Sequence, residues 1–357
     1  MTRHFLSRFR AAVLALALAP TAAFAQPGPP ADSALVEMNS AENSAVVLSL
    51  AEVLRDRFAF QERGEAAASR IEALEQQGTF RDARTAADLL ELIETQINPI
   101  VDDRHFRVRY MGPEIVAGFS EAAPSPEEIA AFHEEVRLRG AEIPEIRRLA
   151  GNVGYLRINM FLDAPPVTEK LAAAMGILAN TGALIIDVRG APGGEPAGVA
   201  SAIGHLVAER TPTVTLQDTS NPAGEHTFYA DPRGPAFTGK PVFVLIDRET
   251  GSGAEEFAYD LQAMDRATLV GETTYGAANP GGFLPLAGGF VAFIPMQVVT
   301  NTITGENWEG VGVQPDIKSP PEEALTRAHR LALEAIVQSA TDIRRTIAEE
   351  GLASLDQ

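Results

Sequence analysis

From Gly151 onward the chain alternates short apolar runs with amphipathic stretches, and that alternation leaves few folds open. The segments Val153-Gly-Tyr-Leu-Arg-Ile158, Ala183-Leu-Ile-Ile-Asp187, 242–247 and 267–270 have the length and composition of strands, whereas 167–180, 196–208 and 253–264 have helical period. Strands and helices taken in turn predict an α/β core. A glycine-rich stretch from Gly276 to Gly289, a strand pair around Phe290 to Val299 and an amphipathic helix over Ala324–Ile347 complete it. The front of the chain reads differently. Val46, Val47, Leu50, Val53 and Leu54, then Ala68, Ile71 and Leu74, then Leu89, Leu90, Leu92, Ile93 and Ile97 recur at three- and four-residue spacing, which predicts three short packed helices between about Ala41 and Ile100. After Pro99, Phe106-Arg-Val-Arg-Tyr110 alternates at period two, and Glu127–Leu138 reads as a charged surface helix.

The first residues set a compartment. Arg3, His4, Arg8 and Arg10 precede an apolar run from Ala11 to Ala19, and Ala23-Phe24-Ala25 offers small residues at −3 and −1 of a cleavage site before Gln26. This predicts a secretory leader over 1–25 and a periplasmic or secreted protein. A Pro/Ala/Ser-rich tether follows over 26–40, and no later apolar stretch approaches the ~18 residues of a membrane span. There are 0 Cys, so stability must come from a packed core. The net charge of −19, more negative once the leader's arginines are gone, disfavours nucleic acid and anionic membranes and favours neutral or cationic ligands.

Four segments carry candidate chemistry. In the first, the strand Val242-Phe-Val-Leu-Ile runs into Asp247-Arg-Glu-Thr-Gly-Ser252-Gly-Ala-Glu255 and then a helix. Gly251 and Gly253 permit a sharp turn, and the helix start offers N–H groups to a developing oxyanion, a setting that can make Ser252 a nucleophile. Ser252-Gly-Ala-Glu255 is equally a capping box that serves only the helix it begins. In the second, Asp187-Val-Arg189-Gly190-Ala-Pro-Gly193-Gly194 ends a buried strand, and its paired glycines can turn successive N–H groups toward an anion or simply make a tight turn. It fits neither phosphate-loop pattern. In the third, Asp103-Arg104-His105, strand alternation would put Asp103 and His105 on one face, where a carboxylate can hold an imidazole tautomer. In the fourth, Trp308-Glu309-Gly310 places an acid between an aromatic and a glycine in a polar loop. Beyond the leader the histidines are His105, His133, His205, His226 and His329. No pair has metal-ligand spacing and thiols are absent, which argues against a zinc site. His133 and His329 lie in charged helical patterns that predict solvation, His205 on a packing helix, and His226 in a polar loop.

Taken together these segments resemble the tail-specific, or C-terminal processing, serine peptidase family, in its branch with the tricorn core protease and interphotoreceptor retinoid-binding protein modules. The resemblance runs through Asp103-Arg-His105, Leu149-Ala-Gly-Asn-Val-Gly-Tyr-Leu, Asp187-Val-Arg189 with Gly193-Gly194, Thr250-Gly-Ser252-Gly-Ala-Glu255, Arg266-Ala-Thr-Leu-Val-Gly-Glu-Thr-Thr and Glu309-Gly-Val-Gly-Val-Gln-Pro-Asp316. It implies a crotonase-like core of strand-strand-helix units over 111–357 behind a small helical domain at 41–110. Met111–Arg148 is too short for the PDZ domain that some members insert there. The Ser/Lys branch places its lysine 25 residues after the nucleophile, where this chain has Ala277, and Lys170, Lys240 and Lys318 all lie elsewhere.

The tricorn-like pattern instead falls on Ser252 as nucleophile, His105 as base and Glu309 as its partner, with Gly193, Gly194 and Gly253 as oxyanion donors. Arg104 stands where that pattern has a serine, and Asp103 is a rival partner for His105. The resemblance thus implies an exported serine peptidase cleaving extended or unfolded peptides, with no cofactor or metal. A non-catalytic carrier of retinoid or fatty acid on the same fold is the alternative it implies.

Overall fold

The computed structural model describes residues 31–118, 124–219, 224–234 and 237–355. The expected leader and the start of the tether lie outside these residues. The chain is mixed α/β, with a helical region toward its N-terminus, and its residues gather into two units.

One unit holds the described residues up to Phe132 together with Leu216–Glu225 and Asn279–Val299. Among its helices are α1 (Ser40–Arg57), α2 (Gln61–Gln77) and α3 (Ala86–Val101); α4 (Pro126–Leu138) begins in this unit and ends in the other. The start of α1 is fixed by Asn39, whose side chain accepts from the Glu42 N–H while Glu42 accepts from the Asn39 N–H, and Thr85 with Asp88 repeats the device on α3. The predicted apolar positions are the ones that meet: Val46, Leu50, Leu54, Ala68, Ile71, Leu89, Ile93 and Ile97 are buried in one core, against which Val36 and Met38 also pack. Strand β1 (Arg107–Tyr110) pairs antiparallel with β12 (Phe290–Pro295), and β12 with β11 (Gly281–Pro285). The glycine-rich stretch therefore contains a strand. β12 takes it as partner rather than the following β13 (Val298–Asn301), which corrects the pair expected around 290–299.

The other unit is built on a six-stranded sheet in the order β14 (Ile317–Lys318), β10 (Thr268–Gly271), β9 (Val242–Ile246), β5 (Ala183–Asp187), β3 (Val153–Arg157), β2 (Glu145–Leu149). All pairings are parallel except β2 on β3. β5 and β9 are buried at every residue, which is why they read as unbroken apolar runs. A short parallel pair joins β4 (Met160–Phe161) to β6 (Gly193–Gly194). The helices are α5 (Pro165–Leu178), α6 (Pro196–Ile203), α7 (Gly253–Ala263), α8 (Pro321–Ser339) and α9 (Ile343–Leu355).

Three expectations change here. The single closing helix is two, because Ala340 turns extended and Asp342 then accepts the Arg344 N–H. His329 is buried, its Nε2 2.8 Å from the Ala150 carbonyl oxygen, because it lies on the side of α8 that packs with Ala328 and Ala332. Two further strands, β7 (Thr211–Gln217) and β8 (His226–Ala230), carry little apolar signal, and His226 opens a strand rather than sitting in a loop. Among the described residues no helix is long and apolar enough to cross a membrane.

Candidate active site

Ser252 sits between β9 and α7 on a turn stitched to the turn after β5. Asp247 Oδ1 accepts from the N–H groups of Gly190, Glu249 and Thr250, and the Thr250 hydroxyl donates to the Val188 carbonyl. The Gly251 N–H donates to Ala191. Held this way, Ser252 has φ 50° and ψ −123°, outside the regions a side-chain-bearing residue prefers. A strained serine between a buried strand and a helix is the setting in which a hydroxyl is presented rather than packed.

The doubled glycine lies directly against it. A Cβ placed on Gly193 (φ 132°) would be 2.7 Å from the Ser252 Cβ and 2.9 Å from the Gly253 nitrogen. One on Gly194 (φ 148°) would be 2.1 Å from the Phe161 carbonyl oxygen, and one on Gly253 2.9 Å from the Gly194 nitrogen. These glycines are required by contact as well as by φ. The structure therefore brings Gly193, Gly194 and Gly253 to Ser252. The Gly253 N–H begins α7 and has no acceptor within its own helix.

Glu255 is the residue whose role the sequence understates. Its Oε2 accepts the Ser252 N–H at 2.8 Å, the glutamate half of the expected capping box. The same carboxylate also takes the Ala277 N–H at 2.9 Å on Oε2, and the Gly276 N–H at 2.6 Å and the Thr274 hydroxyl at 2.5 Å on Oε1. Burial lifts its pKa to about 7 against these four donors, all of which favour the charged form. The next amide, Ala278 N–H, donates to Glu309 Oε2 at 2.7 Å. Trp308 fixes the loop carrying Glu309: it is buried and donates from its indole to the Ala277 carbonyl, while the Gly310 N–H donates to Gly276. Position 277, where the Ser/Lys branch has its base, is thus an alanine tied down at both backbone groups. Lys170 and Lys240 donate to the carbonyls of Gly140 and Ala179.

His105 belongs to the other unit. Asp102 turns left-handed (φ 47°) after α3, and Asp103–Phe106 forms a turn ahead of β1, so the alternation assumed for Asp103 and His105 has not yet begun. The Asp103 carboxylate shapes that turn instead: Oδ1 accepts the His105 backbone N–H and Oδ2 the Asn279 side-chain amide, each at 2.9 Å. The imidazole is buried and stacked on Phe293, 5.4 Å between centroids. Burial, with the Arg107 charge, depresses its pKa to about 3, although the Asn279 carbonyl that accepts from the ring works the other way. His105 is therefore neutral at ordinary pH. Its Nδ1 is buried without a hydrogen-bond partner among the described residues. Asn279, the residue that engages the ring, has no sequence signal of its own.

The sequence profile of peptidase family S41 matches residues 152–319, and that of the N-terminal domain of Peptidase_S41 in eukaryotic IRBP matches 34–144. A carboxyl-terminal-processing protease of Synechocystis sp. is 37% identical over 129 residues, 35% of this chain and 28% of the relative. The carboxy-terminal processing protease CtpB of Bacillus subtilis is 27% identical over 194 residues, 51% of this chain and 38% of the relative. The match thus spans well under half the length of these curated relatives. Among solved structures, a putative peptidase from Parabacteroides merdae superposes with a TM-score of 0.59 at 17% identity, covering 85% of this chain and 100% of that one. The tricorn protease does so with 0.53 at 13% identity, covering 89% and 37%. At these identities the superpositions speak for the fold.

Proposed function

Because the chain belongs to peptidase family S41, we propose that it is a serine peptidase in which Ser252 attacks the scissile carbonyl, His105 takes the hydroxyl proton, and Glu309 orients the imidazole and stabilises the imidazolium. The tetrahedral oxyanion is received by backbone N–H groups of Gly193 or Gly194 and of Gly253. His105 returns the proton to the leaving amine, and water then hydrolyses the acyl-enzyme. The observation that carries this reading is the seat of Gly193 against Ser252 on a strained strand-to-helix turn. A neutral imidazole at His105 is the form a general base needs.

The substrate class is extended or unfolded peptide. The parallel sheet flanked by helices is what a crotonase-like core requires, and the segment 111–148 holds α4 and the start of β2, with little room for a PDZ domain. The proposed division is a helical domain over 41–110 and a peptidase core over 111–357. The Arg-rich start and Ala23-Phe24-Ala25 support export, and a product found outside the cytoplasm beginning at Gln26 is its test; exported, soluble protein still carrying Met1 would refute it.

A fluorophosphonate tests the nucleophile. Folded wild type should be labelled at Ser252, the label should vanish in Ser252→Ala, and it should fall by about 10³-fold or more in His105→Ala. The match of 34–144 to the domain named for eukaryotic IRBP supports a second reading, a carrier of apolar ligands. Folded protein that takes no label and cleaves nothing, while binding retinoid or fatty acid tightly, would establish that reading instead.

A further inference from the structure

Four hydrogen-bond donors converge on the buried Glu255 carboxylate, two on each oxygen, and they come from two separate stretches of chain. One is the turn that holds Ser252. The other is the 274–278 loop, whose last amide binds the Glu309 carboxylate. We propose that Glu255 is a positioning residue which, as a carboxylate, clamps the nucleophile turn to the 274–278 loop whose last amide holds Glu309, and that its protonation loosens the clamp and limits activity in acid.

The bond inventory gives the reason. An ionised carboxylate accepts four donors without conflict, whereas a carboxylic acid must place an O–H among them. On Oε2 that proton would meet two N–H groups, from Ser252 and Ala277, neither of which can accept it. On Oε1 it would meet the Gly276 N–H and the Thr274 hydroxyl, and only the hydroxyl can reverse. Thr274 Oγ1 already accepts the Val313 N–H at 2.7 Å, so reversal turns its own proton away from Glu255. Protonation therefore either displaces an N–H donor or reverses the Thr274 bond, and in each case leaves the remaining N–H groups on a neutral, weaker acceptor, at a carboxyl that burial has brought to about pH 7.

The charged neighbours on the packed elements do not supply the missing partner. Glu256 and Asp260 on α7 are themselves acids raised by burial, and Glu309 is a third acid. On the flanking turns, Arg248 is paired to Glu272, Asp247 binds backbone N–H groups, and Glu249 is acidic.

This inference rests on Ser252 being the nucleophile, and the experiment separates the two. Fluorophosphonate labelling and peptide cleavage are measured from pH 5 to 9 on full-length wild type, Glu255→Gln, Glu255→Asp and Thr274→Val, with unfolding followed in parallel. Absence of wild-type labelling at every pH refutes the Ser252 reading itself. If that reading holds, the wild-type rate should fall tenfold per unit as pH drops below about 7, while the protein stays folded. Glu255→Gln, which puts an NH₂ against N–H donors, should lose on the order of 10²-fold in kcat with KM little changed, as for an ~1 Å misplacement, and should lose the acid limb. Glu255→Asp should recover part of the rate and keep a limb. Thr274→Val removes a donor that favours the charged form, so its acid limb should move to higher pH. The Thr274 result stands even if Glu255→Gln does not fold. A limb at the same pH in Thr274→Val, or a Glu255→Gln enzyme with wild-type rate and profile, overturns the proposal.

Discussion

Gly193→Ala is the sharpest perturbation available at the nucleophile turn, because two independent penalties coincide there. The residue has φ 132°, a region essentially closed to alanine, and holding a non-glycine residue in such a conformation costs about 1–3 kcal/mol. The new methyl would also lie 2.7 Å from the Ser252 Cβ and 2.9 Å from the Gly253 nitrogen, neither of them the tip of a flexible side chain, and overpacking of that kind costs about 1–3 kcal/mol. Against a total stability of roughly 5–15 kcal/mol the fold survives, but relief of the clash must push the doubled glycine away from Ser252. Loss of one oxyanion donor then lowers kcat by about 10²–10³-fold. Gly190→Ala is the control from the same turn. It too has positive φ (69°), yet its nearest neighbour would be Glu249 Oε2 at 3.9 Å, so it should cost about 1–2 kcal/mol and spare the rate. Urea unfolding and peptide cleavage on the two variants decide the matter. A Gly193→Ala enzyme destabilised by several kcal/mol that still cleaves within about threefold of wild type would show that this turn is not where the oxyanion binds.

A second expectation concerns stability in acid. The folded pKa of His105 is about 3 against 6.5 for an exposed imidazole, so between these values the unfolded chain binds a proton that the folded chain does not. Stability is therefore whole above pH 6.5 and declines as pH falls toward 3, by at most about 4–5 kcal/mol from this residue. Urea midpoints at pH 7 and pH 4.5 should converge in His105→Gln relative to wild type; an equal acid loss in both proteins would refute the assignment.

The parts of the fold legible in the sequence are those where burial is one-sided in its demands. β5 and β9 have every residue buried, so Ala183–Asp187 and Val242–Ile246 can hardly be read as anything but strands. The three front helices announce themselves because each presents one apolar stripe to a shared core. The strands that went unread are half-exposed and polar. Glu145-Ile-Arg-Arg-Leu149 lies at the edge of its sheet, and Gly281-Gly-Phe-Leu-Pro285 hides in a glycine-rich run that spells turn more loudly than strand. The break between α8 and α9 carries neither glycine nor proline at 340–342, and the nearby Thr326, Arg327 and Arg330 around His329 are polar residues that conceal the packing side of its helix.

The candidate site divides along the same line between local and distant causes. Glycines beside Ser252 could be read from the sequence because the strand, the sharp turn and the helix start that need them are consecutive residues. Glu255 could be read only as a cap, since the one partner within reach of a local pattern is Ser252, three residues away. Its other three donors lie 19, 21 and 22 residues further on, beyond any helical or strand period. Asn279 is 176 residues from the Asp103 it binds. A backbone amide or carbonyl has the same chemistry whatever side chain it carries, so the sequence names the acid and the histidine but not the peptide groups that will hold them. A buried carboxylate among four donors is consequently visible only after folding, and whether it is an inert cap or a clamp on the nucleophile depends on the far end of those bonds: here, the loop whose next amide holds Glu309.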